Sequence, residues 1–319
     1  MKKLALLLAA LSVASVSYAK EVMPEAAPVV EEAPVVEQEV VEVKAAPVLR
    51  VTSVGQQLVV ENKSNANGEG GQDIGEAVHL KNMVGLALGD SWTFDLMARK
   101  TWDASIDDYA ENDTKGAGMH SVGHRIDLQA TRHFENFSLG LRWRGEQGSD
   151  AIFLPVSYNY GMVSGWFDPA YYFVNGDDAN AEDYFYLEAE PVVLSYGPVQ
   201  LAYYFEGYKY AGDGCVVEGL KSDYAHQARL RGTVYSNDTF SVGLEYRYQF
   251  AQDVELLNGK DGVENNRHIG VLSGAYNVTE NLTLSGYYQY EFNKYEQHEG
   301  KVMDDDYYGE FGLGWSYNF

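Results

Sequence analysis

The chain has 319 residues and a formal net charge of −24, from 47 Asp and Glu against 23 Lys and Arg. An acidic chain with no basic stripe excludes a nucleic-acid-binding role, and a single cysteine, Cys215, excludes an internal disulfide and paired-cysteine zinc or redox chemistry. Beyond the N-terminus there is no apolar run of about 18 residues, which excludes a transmembrane helix but not a membrane barrel, where only alternate residues meet lipid. Tyr (25) and Gly (32) are frequent and Pro (8) is scarce, a composition suited to a large antiparallel sheet with aromatic girdles.

Residues 1–19 read as a secretory signal. Lys2 and Lys3 supply the charge, Leu4 to Val16 the apolar core, and Ser17-Tyr18-Ala19 the small residues before cleavage at Lys20. Export removes two lysines and takes the net charge from −24 to −26. Residues 20–48 form a low-complexity Pro/Glu/Val tract. Pro24, Pro28, Pro34 and Pro47 prevent a regular helix or a central strand, and the segment reads as a flexible periplasmic spacer.

From Leu49 to Phe319 one unit repeats: an alternating stretch, a short turn, an alternating return and a longer acidic loop. Short turns fall near 90–91, 135–136, 161–165, 197–198, 236–238 and 279–281. Longer loops fall near 62–76, 103–119, 145–150, 175–183, 211–223, 252–264 and 294–306. The hairpin count is about fourteen strands; the stretch 49–61 alternates least, so twelve remain open. Within strands, Phe240, Val242, Leu244, Tyr246, Tyr248 and Phe250 share one parity, and Ser241, Gly243, Glu245, Arg247 and Gln249 the other. The final stretch ends Phe311, Leu313, Trp315, Tyr317, Phe319 on one parity, with small or polar residues between. The fold class predicted is all-β: a transmembrane antiparallel up-and-down β-barrel.

Charge is unevenly placed. The seven loops carry a net charge of about −20, whereas the strands are near balance. Arg99, Arg125, Arg142, Arg144, Arg229, Arg231 and Arg247 all lie on the polar parity, as do Asp95, Asp127, Glu188, Glu190, Glu206, Glu245, Glu291 and Glu310. Arginine on the lipid face near the midplane costs roughly 2–4 kcal/mol, so these fifteen residues are the expected pore lining. Basic residues concentrate on 120–146 and 224–251, and acidic ones on 184–210 and 282–319, which places opposite signs across one pore; pairing between neighbouring strands is the alternative. Loops 103–119, with Asp107, Asp108, Glu111 and Asp113, and 211–223 are candidates to narrow the pore. Tyr186, Tyr204, Tyr208 and Tyr287 form a candidate stacking track for sugars. Asp304-Asp305-Asp306 lacks the spaced ligands of a calcium loop.

The N-terminus, Met1-Lys2-Lys3-Leu4-Ala5-Leu6 through Lys20-Glu21-Val22-Met23-Pro24, and the tract behind it resemble the fusobacterial major outer-membrane porins of the FomA type. The fourteen-strand pattern and terminal Phe319 fit that resemblance. It implies a voltage-gated or general diffusion porin, a homotrimer, that also serves as a surface adhesin, with no catalytic residues to carry over. The terminal aromatic pattern also resembles the signature that the barrel-insertion machinery reads.

The function expected is passive diffusion of small hydrophilic solutes across the bacterial outer membrane, with loops outside and both termini periplasmic. Outer-membrane lipid and lipopolysaccharide are the surrounding partners. The alternatives are an adhesin or structural barrel and an oligosaccharide-specific channel. His120 and His124 stand near the acidic 103–119 loop, but no nucleophile elbow or His-Glu-x-x-His motif occurs. The chain is therefore expected not to be an enzyme, and no cofactor or metal is expected.

Overall fold

The computed structural model describes residues 48–64, 72–104, 120–174, 182–212, 219–296 and 305–319. The signal, the Pro-rich tract up to residue 47, Cys215, Asp304 and the acidic residues of the 103–119 loop beyond Ala104 lie outside them.

Every described element is a strand. In chain order they are β1 (Leu49–Ser64), β2 (Gln72–Leu88), β3 (Trp92–Asp103), β4 (His120–His133), β5 (Phe137–Glu146), β6 (Ser149–Phe153), β7 (Val156–Tyr160) and β8 (Val163–Val174). They continue with β9 (Tyr184–Tyr196), β10 (Val199–Tyr210), β11 (Leu220–Ser236), β12 (Phe240–Leu256), β13 (Asn265–Asn277), β14 (Leu282–Tyr295) and β15 (Asp306–Asn318). Each pairs antiparallel with its neighbours along the wall, β6 and β7 both lying between β5 and β8, and β1 pairs with β15, so the sheet closes on itself. β6 and β7 are two halves of one wall position, which makes a closed barrel of fourteen strands. The first stretch, weakest in alternation, is a full strand paired on both sides.

The break between β6 and β7 has a local cause. Pro155 has no backbone N–H to give the ladder. β5 pairs with β6 from Arg142 to Glu146 and with β7 from Phe137 to Leu139. Between them only single bonds bridge the seam: the Gly140 N–H donates to the Pro155 carbonyl at 2.7 Å, and the Leu154 N–H to the Pro169 carbonyl at 2.9 Å.

All six short turns fall where the sequence places them, at one end of the barrel together with Leu49 and Phe319. The other end carries the longer connections, with one departure. The loop expected over 145–150 is a two-residue turn, Gln147-Gly148, because Gly148 adopts φ of 89°, open to glycine at little cost.

Parity decides which side meets what. Leu139, Leu141, Leu244, Leu272, Leu284 and Leu313 point outward and are about half exposed. Outward aromatic residues cluster toward the short-turn end, among them Phe134, Phe137, Tyr160, Tyr196, Tyr276, Tyr317 and Phe319. A second set, including Phe173, Phe185, Phe250, Tyr290 and Tyr307, lies toward the other end. An apolar belt between two aromatic girdles is what a barrel wall in lipid requires. Most strands run ten to seventeen residues, against about 9–11 needed to cross hydrocarbon.

Leu272 lies mid-strand on β13, opposite Leu244. Its replacement by Arg is expected to destabilise the barrel in lipid vesicles by roughly 2–4 kcal/mol, read as a lower urea midpoint. Arg in place of the inward Gln289 should leave that midpoint far less changed.

Candidate functional site

The inner wall is the surface that the closed sheet sets apart from lipid, and its mid-height positions are polar. Arg125, Asp127, Arg144, Glu188, Glu190, Glu206, Arg229, Arg247, Glu291 and Glu310 are all buried there against one another. Two networks organise them.

The first lies on β3–β8. Asp127 sits two residues from Arg125 and opposite Arg144 in the β4–β5 register. It accepts from the Arg125 Nε at 2.8 Å and from the Arg144 Nε at 3.1 Å. Arg144 also donates to the Tyr172 hydroxyl at 2.7 Å, and Arg142 pairs with Asp168. Phe153 lies under both guanidinium groups, 4.0 Å from that of Arg142 and 4.4 Å from that of Arg144. Stacking on an aromatic face suits a planar guanidinium. Arg99 stands apart: its Nε and Nη1 are buried without a partner among the described residues.

The second network lies on β9–β15. Glu190, fully buried, takes Arg229 at 3.1 Å and Arg231 at 2.7 Å. Glu188 and Glu206 face each other across the β9–β10 register. The hydroxyls of Tyr186 and Tyr204 each lie 2.8–2.9 Å from both carboxyl groups. Glu245 accepts from the Arg247 Nε at 2.8 Å, Glu291 lies 3.5 Å from Arg267, and Glu310 is bonded by Tyr287 and Tyr308. Asp95 lies on the inward parity of β3 but is exposed, below the first network.

Charges that the sequence reading set across the pore are therefore largely paired within the wall. Acidic β9 abuts basic β11 through β10, close enough for Glu190 to hold two arginines. The tyrosine track also takes another form. Tyr204 is 3% exposed, with Arg229 3.3 Å above its ring, and the Tyr186 and Tyr287 hydroxyls are tied to carboxyl groups. The Tyr204 ring therefore offers no free face, and the Tyr186 and Tyr287 hydroxyls brace the wall.

Sequence reasoning missed several inward groups: Glu61, His79, Lys81, Asp168 and Arg267. His79 bridges Glu61 at 2.8 Å and Thr101 at 2.9 Å, and the Lys81 ammonium donates to Gln57 at 3.2 Å. The signal that could have found Arg267 was its parity. It was hidden because Ile269 and Val271, on the same inward face, are apolar.

No family model and no curated protein sequence matches the chain. Solved structures resemble it at low identity. A bacterial polysaccharide outer-membrane secretin aligns with a TM-score of 0.50 at 10% identity, over 83% of this chain and 98% of that one. The anion-selective porin from Comamonas acidovorans aligns at 0.43 and 13%, over 85% and 100%. OmpT, an outer-membrane protein of Vibrio cholerae, aligns at 0.46 and 11%, over 85% and 98%. The shared feature is the fold, a closed antiparallel β-barrel.

One expectation is corrected. The sequence reading held that the chain is not an enzyme. A fold shared at 10% identity does not decide that, so enzymatic status is unresolved by the fold.

Replacing Glu190 by Gln leaves Arg229 and Arg231 without their shared carboxylate. The expected cost is roughly 3 kcal/mol, typical of breaking a buried ion pair, measured as a lower denaturant midpoint. Glu255→Gln, which removes the exposed Lys221–Glu255 pair, should leave the midpoint unchanged.

Proposed function

We propose that the chain is an outer-membrane porin, a water-filled channel for passive diffusion of small hydrophilic solutes. The observation that carries the reading is the sidedness of a closed wall: charged groups of both signs inside, an apolar belt outside. Charge on the inner face costs least beside water, and fourteen strands give a circumference between the filled eight-strand barrels and the sixteen-strand porins. The inward arginines and carboxylates of the two networks, with Arg99 and Asp95, line the path. Opposed charges along its walls favour small polar solutes.

In this reading the longer connections face the outside and both barrel termini face the periplasm. Phe319 presents the insertion signal, residues 1–19 direct export, and the 20–48 tract extends into the periplasm. Lipid and lipopolysaccharide surround the belt. The resemblance to fusobacterial porins supports the same assignment.

Single-channel recording in planar lipid bilayers tests it. Discrete ohmic steps are expected from the folded protein, and silence at every voltage would overturn the reading. Changing Arg142 and Arg144 together to Glu should move the reversal potential in a salt gradient toward cation preference. An unchanged potential would remove both from the conducting path.

A further inference from the structure

The inner wall holds its arginines by one rule, with one exception. The seven other inward arginines of the described wall each pair with a carboxylate. Arg99 pairs with none among the described residues, and its Nε and Nη1 are buried with no hydrogen-bond partner. Its neighbour Lys81 has no carboxylate partner either. That ammonium carries three donors and gives one to the Gln57 amide oxygen at 3.2 Å.

The register sharpens the exception. Lys81 is the direct partner of Arg99 in the β2–β3 ladder, and Arg99 that of Arg125 in the β3–β4 ladder. Side chains directly opposite stand about 5 Å apart at Cβ, where like charges repel. Arg125 is countered by Asp127, which Arg144 shares. The other inward carboxyl groups in range of Lys81 and Arg99 are engaged elsewhere. Glu61 takes His79 at 2.8 Å, Glu310 takes the Tyr287 and Tyr308 hydroxyls, and Glu146 takes the Ser149 hydroxyl at 3.3 Å. One step toward the short-turn end Met83 faces Met97, and a thioether is neither a donor nor a strong acceptor. Two cations thus stand side by side, unanswered, in a chain of net charge −24. Arg99 is only half-buried, so a solute in the lumen can reach it.

We propose that Lys81 and Arg99 form a subsite for a small oxyanion inside the barrel. The proposal names a solute class for the porin reading and rests on that reading. The guanidinium supplies directed N–H groups, and the ammonium adds a point charge beside it. An oxyanion with two or more oxygens takes a bond from each cation at once. Chloride is a single acceptor centre and gains charge alone, and a neutral sugar leaves both charges uncountered. A site on a diffusion path must also release its solute, and two cations on one side of a wall hold an anion without enclosing it.

The test uses the full mature chain and inorganic phosphate as the probe. In planar bilayers in potassium chloride, phosphate is expected to lower single-channel current saturably, each variant being scaled to its own current before phosphate. Arg99→Gln, and separately Lys81→Gln, should raise the half-blocking concentration by about tenfold or more, the loss of one charged hydrogen bond. Lys100→Gln removes a cation from the outward face of the same strand, where Lys100 donates to the Ser121 hydroxyl; it should leave that concentration unchanged. The second readout needs no conduction. Phosphate should raise the denaturant midpoint of the barrel in detergent, against potassium chloride of equal ionic strength, in the wild type and Lys100→Gln but not in Arg99→Gln. Without phosphate, Arg99→Gln breaks no ion pair, so its midpoint should match or exceed that of the wild type. A fall like that expected for Glu190→Gln overturns the subsite, because it reveals a partner in the wall. Conducting steps that phosphate does not saturably lower overturn it too, as does a block that Arg99→Gln leaves intact or Lys100→Gln removes equally. A silent barrel whose midpoint still rises with phosphate through Arg99 keeps the subsite and overturns the channel reading instead.

Discussion

The ladder between β1 and β15 is the interaction on which the rest depends. Eleven register pairs run from Ser53 opposite Asn318 to Lys63 opposite Tyr308 and join the two ends of the described chain. In hydrocarbon an unpaired strand edge would leave a row of amide and carbonyl groups with no partner, each costing several kcal/mol. Closure removes both edges at once. It also makes inside and outside distinct, and everything said about the inner wall follows from that distinction. The apolar parity of Leu313 and Phe311 belongs outside only because Glu310 and Tyr308 are turned in by the same ladder.

The inner wall is then a problem in how charge is held. Charged groups at mid-height are dense enough to touch, so five inward arginines are set by a neighbour, Arg125 and Arg144 by Asp127, Arg142 by Asp168, Arg229 and Arg231 by Glu190, while Arg99 stands apart. Buried pairs of this kind contribute little net stability but make loss of one partner costly. They fix the side chains in place, and a fixed array of opposed charges can select among solutes where a mobile one would be screened.

Much of this was legible in the sequence because the barrel imposes a period of two. The six short turns at the end that carries Leu49 and Phe319 were readable from their flanking alternation, and the polar parity of Arg142 and Arg144 on β5 followed from the apolar parity of Leu139, Leu141 and Trp143. What could not be read has physical reasons. Gln147-Gly148 looked like part of a loop because its acidic neighbours Glu146 and Asp150 are strand residues that face each other's strands. Pairing of Glu190 with Arg231 reaches across β10, and the β9–β10 register shifts between Tyr203 and Phe205, a shift against another strand that no spacing along one strand encodes. Tyr204 read as a stacking surface because sequence gives parity and not the guanidinium lying on its ring.

Pro155 gives the hoop an uneven stiffness. Thirteen wall positions are continuous staves, and the fourteenth is two short pieces linked through Leu154 and Pro155, which sit outside both ladders. A ring with one soft joint does not deform as a circle. The place of least backbone pairing in the wall lies beside Arg142 and Phe153, the register pair with which the β5–β6 ladder ends.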